Sequence, residues 1–291
     1  MNIKSCFSIL ILTVLAAVLP NRLSCQFVID WAKTYGASVG QSNAYKVRQT
    51  SDGGYIVAGY SNSGDGDLTG NHGDWDYWIM KLDSRGEIEW SKNYGGSGVD
   101  SANDVLETED GGFLVIGHSN STDGDVSENI GGYDCWILQL NGQGELVWQK
   151  SYGGSQNDVC RYIAETKAAF FGMIGFSESN DIDLSFNNGL QDIWLLEINS
   201  SGVIERSLTF GNKESDQAGG ILPLYGDKYI ISGKKDDSGW IAMVNGSGDV
   251  IWSRVIGGTY FVRTPLMVFD SVVTGVAQAN DEDVLVFQID T

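Results

Sequence analysis

The chain has 291 residues, of which 42% are hydrophobic and 19% are charged, so it is long enough to bury a sizeable core. Its formal net charge of −20 argues against binding to nucleic acid or anionic membranes, because both depend on Lys and Arg side chains that neutralise phosphates. Only three prolines occur, and no Pro/Ser-rich linker interrupts the chain, which favours a single domain.

The first 25 residues predict a secretory signal peptide. A positive start at Lys4 precedes an apolar run over 7–19, which is too short for a spanning helix. We expect cleavage after Cys25 and one mature domain over residues 26–291. Acylation of Cys25 is the alternative, although Arg22 stands where a lipoprotein signal carries an aliphatic residue. The mature protein is expected to be exported, whether secreted, periplasmic or on the cell surface, and no other stretch is long enough to span a membrane.

The mature region repeats itself with a period of 58 residues, which is the signature of a solenoid, a propeller or an array. We expect the repeated tryptophans to fill the space between units; a stacking platform for sugars is the alternative. We expect the repeated glycines to permit the close approach of a neighbouring backbone. The repeated positions are Trp78, Trp136 and Trp194 in one column and Gly59, Gly117, Gly175 and Gly233 in the other.

The second repeat shows the elements of one unit. A strand over 103–109 and an apolar strand over 113–117 flank a tight Asp-Gly-Gly turn, and a long polar loop follows. Two further strands, over 135–140 and 145–152, flank an Asn-Gly-Gln-Gly turn. Four antiparallel strands in each unit are typical of a propeller blade.

Counting these strands predicts an all-β, five-bladed β-propeller of four-stranded antiparallel blades. The chain contains five sets of first, second and third strands, but only four fourth strands follow them. The missing strand is predicted over 27–35, so that the N-terminal strand closes the ring and removes two exposed edges. A β-helix, which needs shorter rungs, and a four-bladed ring with an appendage are the alternatives.

Three repeats carry an acid-rich loop between their second and third strands. Asp-x-Asp followed by Asn and another Asp brings carboxylate and amide oxygens onto one flexible turn, which suits calcium better than zinc. The alternative is that each Asp caps its own backbone in an Asx turn and binds no ion. The candidate calcium ligands are Asp65, Asp67, Asn71, Asp76, Asp123, Asp125, Asn129, Asp134, Asp181, Asp183, Asn187 and Asp192.

Two cysteines remain after the leader, Cys135 and Cys160, and neither recurs in the other repeats. They form no CxxC motif and have no set of histidine ligands nearby. We expect two small buried side chains that are not bonded to each other. A disulfide, which export would permit, is the alternative.

No nucleophile elbow, phosphate-binding loop or Cys/His pair occurs, which favours a protein that is not an enzyme. The alternative enzyme is a glycoside hydrolase, which needs two or three carboxylates near the axis. The candidate acids recur at similar repeat positions, which favours a structural role. They are Asp100, Asp104, Asp158 and Asp216.

The loops that lead from one blade to the next should converge near one mouth of the ring. The fifth of these loops differs from the others because it is aromatic and basic. Tyr260, Phe261 and Arg263 are therefore the candidate binding residues for a planar or anionic ligand. The alternative is that these side chains plug the axis.

Three phrases of the chain, over 50–59, 76–83 and 90–96, resemble the propeller-type repeats of exported bacterial surface proteins, with those of the Bacteroidetes most similar. The resemblance implies a β-propeller and a surface or secreted location, but no activity, because a fold does not fix a function. We expect a non-catalytic binding or adhesion module, with a glycan or a surface protein as its ligand. A glycan-active hydrolase and a purely structural surface protein are the alternatives.

Overall fold

The computed structural model describes residues 30–167, 169–184, 186–224, 226–257, 261–269, 272–279 and 283–290. The chain divides into two compact units, residues 1–33 and residues 34–291. Of the first unit the structure describes residues 30–33, which form no strand, so the predicted signal peptide lies outside the described residues. The second unit contains all the strands described below.

The described part of the chain is built from β-strands. It contains no helix that is long and apolar enough to cross a membrane. In chain order the strands are β1 (Ser42–Gln49), β2 (Tyr55–Ser61), β3 (Asp76–Leu82), β4 (Ile88–Tyr94), β5 (Asp100–Glu107), β6 (Phe113–Ser119), β7 (Cys135–Leu140), β8 (Leu146–Tyr152), β9 (Asp158–Lys167), β10 (Phe170–Ser177), β11 (Asp192–Asn199), β12 (Ile204–Phe210), β13 (Gln217–Leu224), β14 (Lys228–Lys235), β15 (Ser238–Asn245), β16 (Val250–Ile256), β17 (Phe261–Phe269), β18 (Val272–Ala279) and β19 (Asp283–Asp290).

The strands form successive antiparallel sheets in chain order. Four sheets contain four strands each, β1–β4, β5–β8, β9–β12 and β13–β16, and a further sheet contains β17–β19. The first strand of each sheet contacts the first strand of the next. This arrangement confirms the predicted four-stranded antiparallel units and is consistent with a propeller. Residues 30–35 of the predicted closing strand form no strand and the rest of it lies outside the described residues, so a five-bladed closed ring stays a prediction.

The glycine column allows the first strand of each sheet to lie very close to the second. A Cβ atom on Gly59 would lie 1.9 Å from the carbonyl oxygen of Asn43. On Gly117 it would lie 2.0 Å from the corresponding oxygen of Ser101. No other residue fits at such distances, which confirms the predicted role of these glycines.

Two tryptophans of the column, Trp136 and Trp194, fill the space between neighbouring sheets. Trp136 is fully buried in a cluster that also contains Ile56 and Tyr77 of the first sheet, and its ring lies 4.7 Å from the ring of Tyr77. The indole N–H of Trp136 donates to the side-chain oxygen of Gln149 at 2.7 Å, so the buried ring keeps a polar partner. Trp194 lies in the same way among side chains of the second and third sheets. The predicted packing role of these residues is confirmed.

Cys135 and Cys160 form a disulfide, with their Cα atoms 5.1 Å apart. The prediction of two unbonded side chains was therefore wrong. The bond joins β7 of the second sheet to β9 of the third. Sequence spacing could not show this contact, because the two strands belong to different repeats and meet only when the sheets stack.

Candidate functional site

The Asp-x-Asp carboxylates of the acid-rich loops bind backbone N–H groups of the segment that precedes each sheet. Asp125 accepts from Gly95 at 3.2 Å, and Asp123 accepts from Ser97 at 2.7 Å. The same bonds recur one repeat earlier and one repeat later. They join Asp67 to Gly36, Asp65 to Ser38, Asp183 to Gly153 and Asp181 to Ser155. These carboxylates therefore fix each acid-rich loop to the segment that leads into its sheet.

The asparagine at the same position of each acid-rich loop also forms a hydrogen bond within the protein. The side-chain amide of Asn129 donates to the carbonyl oxygen of Ser119 at 3.1 Å, and Asn71 and Asn187 make the same bond with Ser61 and Ser177. In the described part of the chain, no group of three or more His, Cys, Asp or Glu side chains is arranged to hold a metal ion. Calcium bound by these loops stays a prediction.

The last acid of each loop has a different environment. Asp76, Asp134 and Asp192 are fully buried, and one oxygen of each accepts the backbone N–H of the residue four positions earlier. The other oxygen, Oδ1, has no hydrogen-bond partner. Burial raises the pKa of Asp76 and of Asp134 to about 6, and it also raises the pKa of Asp192.

Each of these acids lies beside a second buried aspartate across a glycine. The partners are Asp100 for Asp76, Asp158 for Asp134 and Asp216 for Asp192, and burial raises the pKa of each. The acids considered for hydrolysis therefore lie in three separate pairs, with Asp104 elsewhere. Both carboxylate oxygens of Asp104 accept from the guanidinium of Arg48 at 3.0 Å.

A second constellation arises from a bulge in the first strand of the sheets. In β1, β5 and β9 the pairing with the next strand skips one residue, and the skipped residues are Tyr45, Asn103 and Arg161. A bulge leaves its extra residue unpaired and redirects the side chain, which is why bulges are common beside functional sites. In β13 the skipped residue is Gly219, which has no side chain to present.

Two further positions recur in each of these repeats, one directly after the glycine column and one directly before the last loop acid. In the first repeat the ring of Tyr60 lies 5.2 Å from that of Tyr45 and 4.9 Å from that of Trp75. In the second the rings of His118 and Tyr133 are 5.2 Å apart, and in the third Arg161 lies 5.2 Å from the ring of Phe176. We call this set the bulge face. It comprises Tyr45, Tyr60, Trp75, Asn103, His118, Tyr133, Arg161, Phe176 and Gln191.

Electrostatic effects connect the three repeats across the bulge face. Burial, with the charge of Arg161 as a smaller cause, lowers the pKa of His118 to about 4. Burial, together with a hydrogen bond to Tyr60, raises the pKa of Tyr45 to about 12, while Arg161 opposes that shift. At neutral pH His118 therefore presents a neutral imidazole and Tyr45 a neutral phenol.

Of the three predicted ligand residues of the fifth loop, the structure describes the burial of Phe261 and the backbone pairing of Arg263. Phe261 lies at the start of β17 and is 5% exposed, so its ring is part of the protein interior. Arg263 lies in β17 opposite Val276, and its side chain is outside what the structure describes. Tyr260 is also outside the described residues. A ligand site at these three residues stays a prediction.

The sequence interpretation did not include the bulge face, although a signal for it exists. In each of the first three repeats, each of the three positions is the chain neighbour of a residue that recurs: the glycine of the column, a small residue of the first strand, or the last loop aspartate. The residue types at the three positions themselves differ from repeat to repeat. Variable residues between constant ones are expected where a scaffold presents side chains to a ligand. The bulge that brings the three together is not visible in the residue pattern.

Comparison with known proteins bears on the fold alone. No protein-family model and no curated protein sequence matches the chain. A solved structure of a protein of unknown function from Bacteroides caccae superposes with a TM-score of 0.52 at 14% identity, covering 86% of this chain and 78% of that one. The Neurospora crassa Pan2 WD40 domain superposes with a TM-score of 0.51 at 10% identity; the alignment covers 85% of this chain and 63% of that one, less than two thirds. The chain thus shares a propeller-like all-β fold with both.

Proposed function

We propose that the protein is an exported, non-catalytic binding module that recognises a glycan through the bulge face. The observation that carries this proposal is the concentration of aromatic rings, with one guanidinium, at the same positions of successive repeats. Aromatic rings cover the apolar face of a sugar, and Asn, Gln and Arg side chains bind its hydroxyl groups. A surface protein as ligand is the alternative.

Export is supported by two independent features. The leader has the composition of a signal peptide. The disulfide between Cys135 and Cys160 is a bond that persists in oxidising compartments and is rare in the cytosol. The propeller-like fold shared with the Bacteroides caccae protein agrees with the sequence resemblance, but it supports no activity.

A non-catalytic role is supported by the placement of the buried acids. A glycosidase needs two carboxyl groups on either side of one sugar bond. The acids considered for that role lie in buried pairs or, in the case of Asp104, in an ion pair with Arg48. Turnover of a polysaccharide that is abolished in Asp104→Asn or Asp158→Asn would favour the hydrolase instead.

We further propose that the sheets form a five-bladed ring. The support lies in β1, where Val47 is 60% exposed although its repeat counterparts Val105 and Ile163 are 0% and 3% exposed. The counterparts are covered by the preceding sheet. In the proposed ring, the sheet β17–β19, completed by the N-terminal strand, packs against β1 and covers Val47.

A glycan array, probed with and without EDTA, tests the function. Wild-type protein is expected to bind a defined class of glycan, and Trp75→Ala and Tyr60→Ala are expected to weaken binding at least tenfold. Val147→Ala, a substitution at an exposed apolar side chain of β8, is the matched control and should leave binding unchanged. Binding lost in Arg263→Ala but retained in Trp75→Ala would place the ligand at the fifth loop, and no binding to any glycan would favour a protein ligand.

A further inference from the structure

The three buried aspartate pairs share one arrangement across a glycine but differ in the basic side chains beside them. In the second pair, Asp134 Oδ1 and Asp158 Oδ2 lie 2.7 Å and 2.8 Å from the point that a Cβ atom of Gly153 would occupy. Both oxygens therefore face the same point beside Gly153, and hard divalent cations bind carboxylate oxygens at about 2.4 Å. Both residues are fully buried.

The first and third pairs have a basic side chain close by. His72 Nδ1 lies 2.9 Å from an oxygen of Asp76 in the first pair. In the third pair, burial raises the pKa of both Asp192 and Asp216, and the positive charge of Lys235 lowers it by a smaller amount. A buried carboxylate pair is costly unless charge or hydrogen bonds compensate it, so these groups have a clear physical role.

The second pair has no such basic group. Ile130 stands at the repeat position of His72, and Ser177 stands at the repeat position of Lys235. Within the described residues, no Lys, Arg or His forms an ion pair with Asp134 or Asp158. The hydroxyl groups of Ser177 and Ser179 and the backbone N–H of Gly154 donate to Asp158, the last two to its Oδ2. Oδ1 of Asp134 has no partner, although it is buried and directed toward Asp158 across Gly153.

The second pair is also the one that cannot separate. Cys135 follows Asp134 directly, and Cys160 lies two residues after Asp158, so the disulfide ties together the two strands that carry the carboxylates. The corresponding positions are Tyr77 and Ala102 in the first pair, which no covalent bond joins. Repulsion between the carboxylates therefore cannot be relieved by moving β7 away from β9.

From these observations we propose that Asp134 and Asp158 hold a calcium-like divalent cation between the second and third sheets. Oδ1 of Asp134, which has no hydrogen-bond partner, and Oδ2 of Asp158 supply two of its oxygen ligands, and the ion takes the place that a basic side chain has in the other two pairs. Carboxylate oxygens are the ligands that hard divalent cations prefer. The site differs from the twelve-residue set of the acid-rich loops, because Asp158 lies outside those loops and Asp123 and Asp125 bind backbone N–H groups.

Terbium luminescence tests the proposal on the purified, oxidised protein at physiological ionic strength. Tyr133 and Tyr152, which lie next to Asp134 and Gly153 in the chain, are positioned to sensitise a bound Tb³⁺ ion. Wild-type protein is expected to bind one Tb³⁺ that Ca²⁺ displaces. Asp134→Asn and Asp158→Asn should each weaken binding at least tenfold, whereas Asp83→Asn, in a surface turn, should leave it unchanged.

A reciprocal variant tests the charge argument. Lys235→Ser gives the third pair the residue that the second pair has, and we expect it to add a second Tb³⁺ site. Melting curves without ions establish that each variant is folded. If Asp134→Asn does not fold, Asp158→Asn alone tests the site. Absence of saturable binding to wild type, or equal affinity in wild type and both asparagine variants, would overturn the proposal. A higher melting temperature of Asp134→Asn together with no Tb³⁺ binding to wild type would assign a shared proton to the pair and would also overturn it.

Discussion

The hydroxyl group of Tyr35 donates a hydrogen bond to the carbonyl oxygen of Gly86 at 2.7 Å. Tyr94 makes the same bond with Gly144, and Tyr152 makes it with Gly202, each one repeat further along the chain. Tyr94 and Tyr152 end the fourth strands of their sheets. Tyr35 thus contacts the first sheet as the end of a fourth strand would, although no strand precedes it in the described residues.

We expect Tyr35→Phe to lower the free energy of unfolding by about 1 kcal/mol, because it removes one partly buried hydrogen bond. Tyr152→Phe is the matched control at the equivalent position and should cost a similar amount. Urea unfolding monitored by tryptophan fluorescence measures both. A loss in Tyr152→Phe with none in Tyr35→Phe would mean that the leading segment does not dock as the later corners do.

Closure of the ring can be tested at Val47. If the sheet β17–β19 covers β1, Val47→Asp places an unpaired charge in an interior and should destabilise the protein by about 3 kcal/mol or more. Val147→Asp, at an exposed position of β8, should change stability by no more than about 0.5 kcal/mol. Equal melting temperatures for the two variants would argue against a closed ring.

The close approach at the glycine column gives a prediction for Gly117. A Cβ atom there would lie 2.0 Å from the Ser101 carbonyl oxygen and 2.5 Å from the Tyr77 hydroxyl, so Gly117→Ala should cost about 3 kcal/mol through forced backbone displacement. Gly257→Ala is the control, because nothing lies within 4 Å of its added methyl group. Thermal unfolding of both variants measures the difference, and similar losses would show that the strand pairing at Gly117 is looser than described.

Stability should depend on pH through His118. Because burial lowers its folded pKa to about 4 while the unfolded value is about 6.5, the unfolded chain binds more protons between these limits. The stabilising contribution of the neutral, buried His118 side chain is therefore complete above pH 6.5. It is lost as pH falls toward 4, by an amount on the order of 3 kcal/mol. His118→Asn should remove this part of the pH dependence. Parallel stability profiles of wild type and variant across that range would contradict the prediction.

The disulfide should contribute about 3 kcal/mol, because it closes a loop between cysteines 25 residues apart in the unfolded chain. The Cys135→Ala, Cys160→Ala double variant is expected to show that loss in urea unfolding. Reducing agent should destabilise the wild type to a similar extent and leave the double variant unchanged. A wild type insensitive to complete reduction would exclude this stabilising role.

The ion pair between Arg48 and Asp104 should be worth far more than surface pairs. Asp104 is 1% exposed, so Arg48→Met leaves a buried charge with only the more distant ammonium of Lys46, at 3.6 Å, and should cost about 3 kcal/mol. Arg85 pairs with Asp83 while 83% exposed, and Arg85→Met should be almost neutral. Chemical denaturation of the two variants measures the contrast; equal effects would argue against the burial of Asp104.

The repeat pattern alone determined the strands, the antiparallel units and the packing role of residues such as Trp136 and Gly117. Local hydrophobic alternation, turn glycines and a fixed period suffice for that, because each blade is built from contacts between neighbouring strands. The predicted number of five blades also requires the N-terminal strand to pair with the last sheet. The repeat pattern does not determine that pairing, because the two segments lie at opposite ends of the chain.

Only the tertiary structure decided which residues of different repeats meet. The disulfide between Cys135 and Cys160, the aspartate pair at Asp134 and Asp158, and the bulge that redirects Tyr45 all depend on how one sheet stacks on the next or on a single skipped pairing. A residue pattern records which face of a strand a side chain takes. It does not record the register between sheets, which is set by packing and by the partners that buried polar groups find.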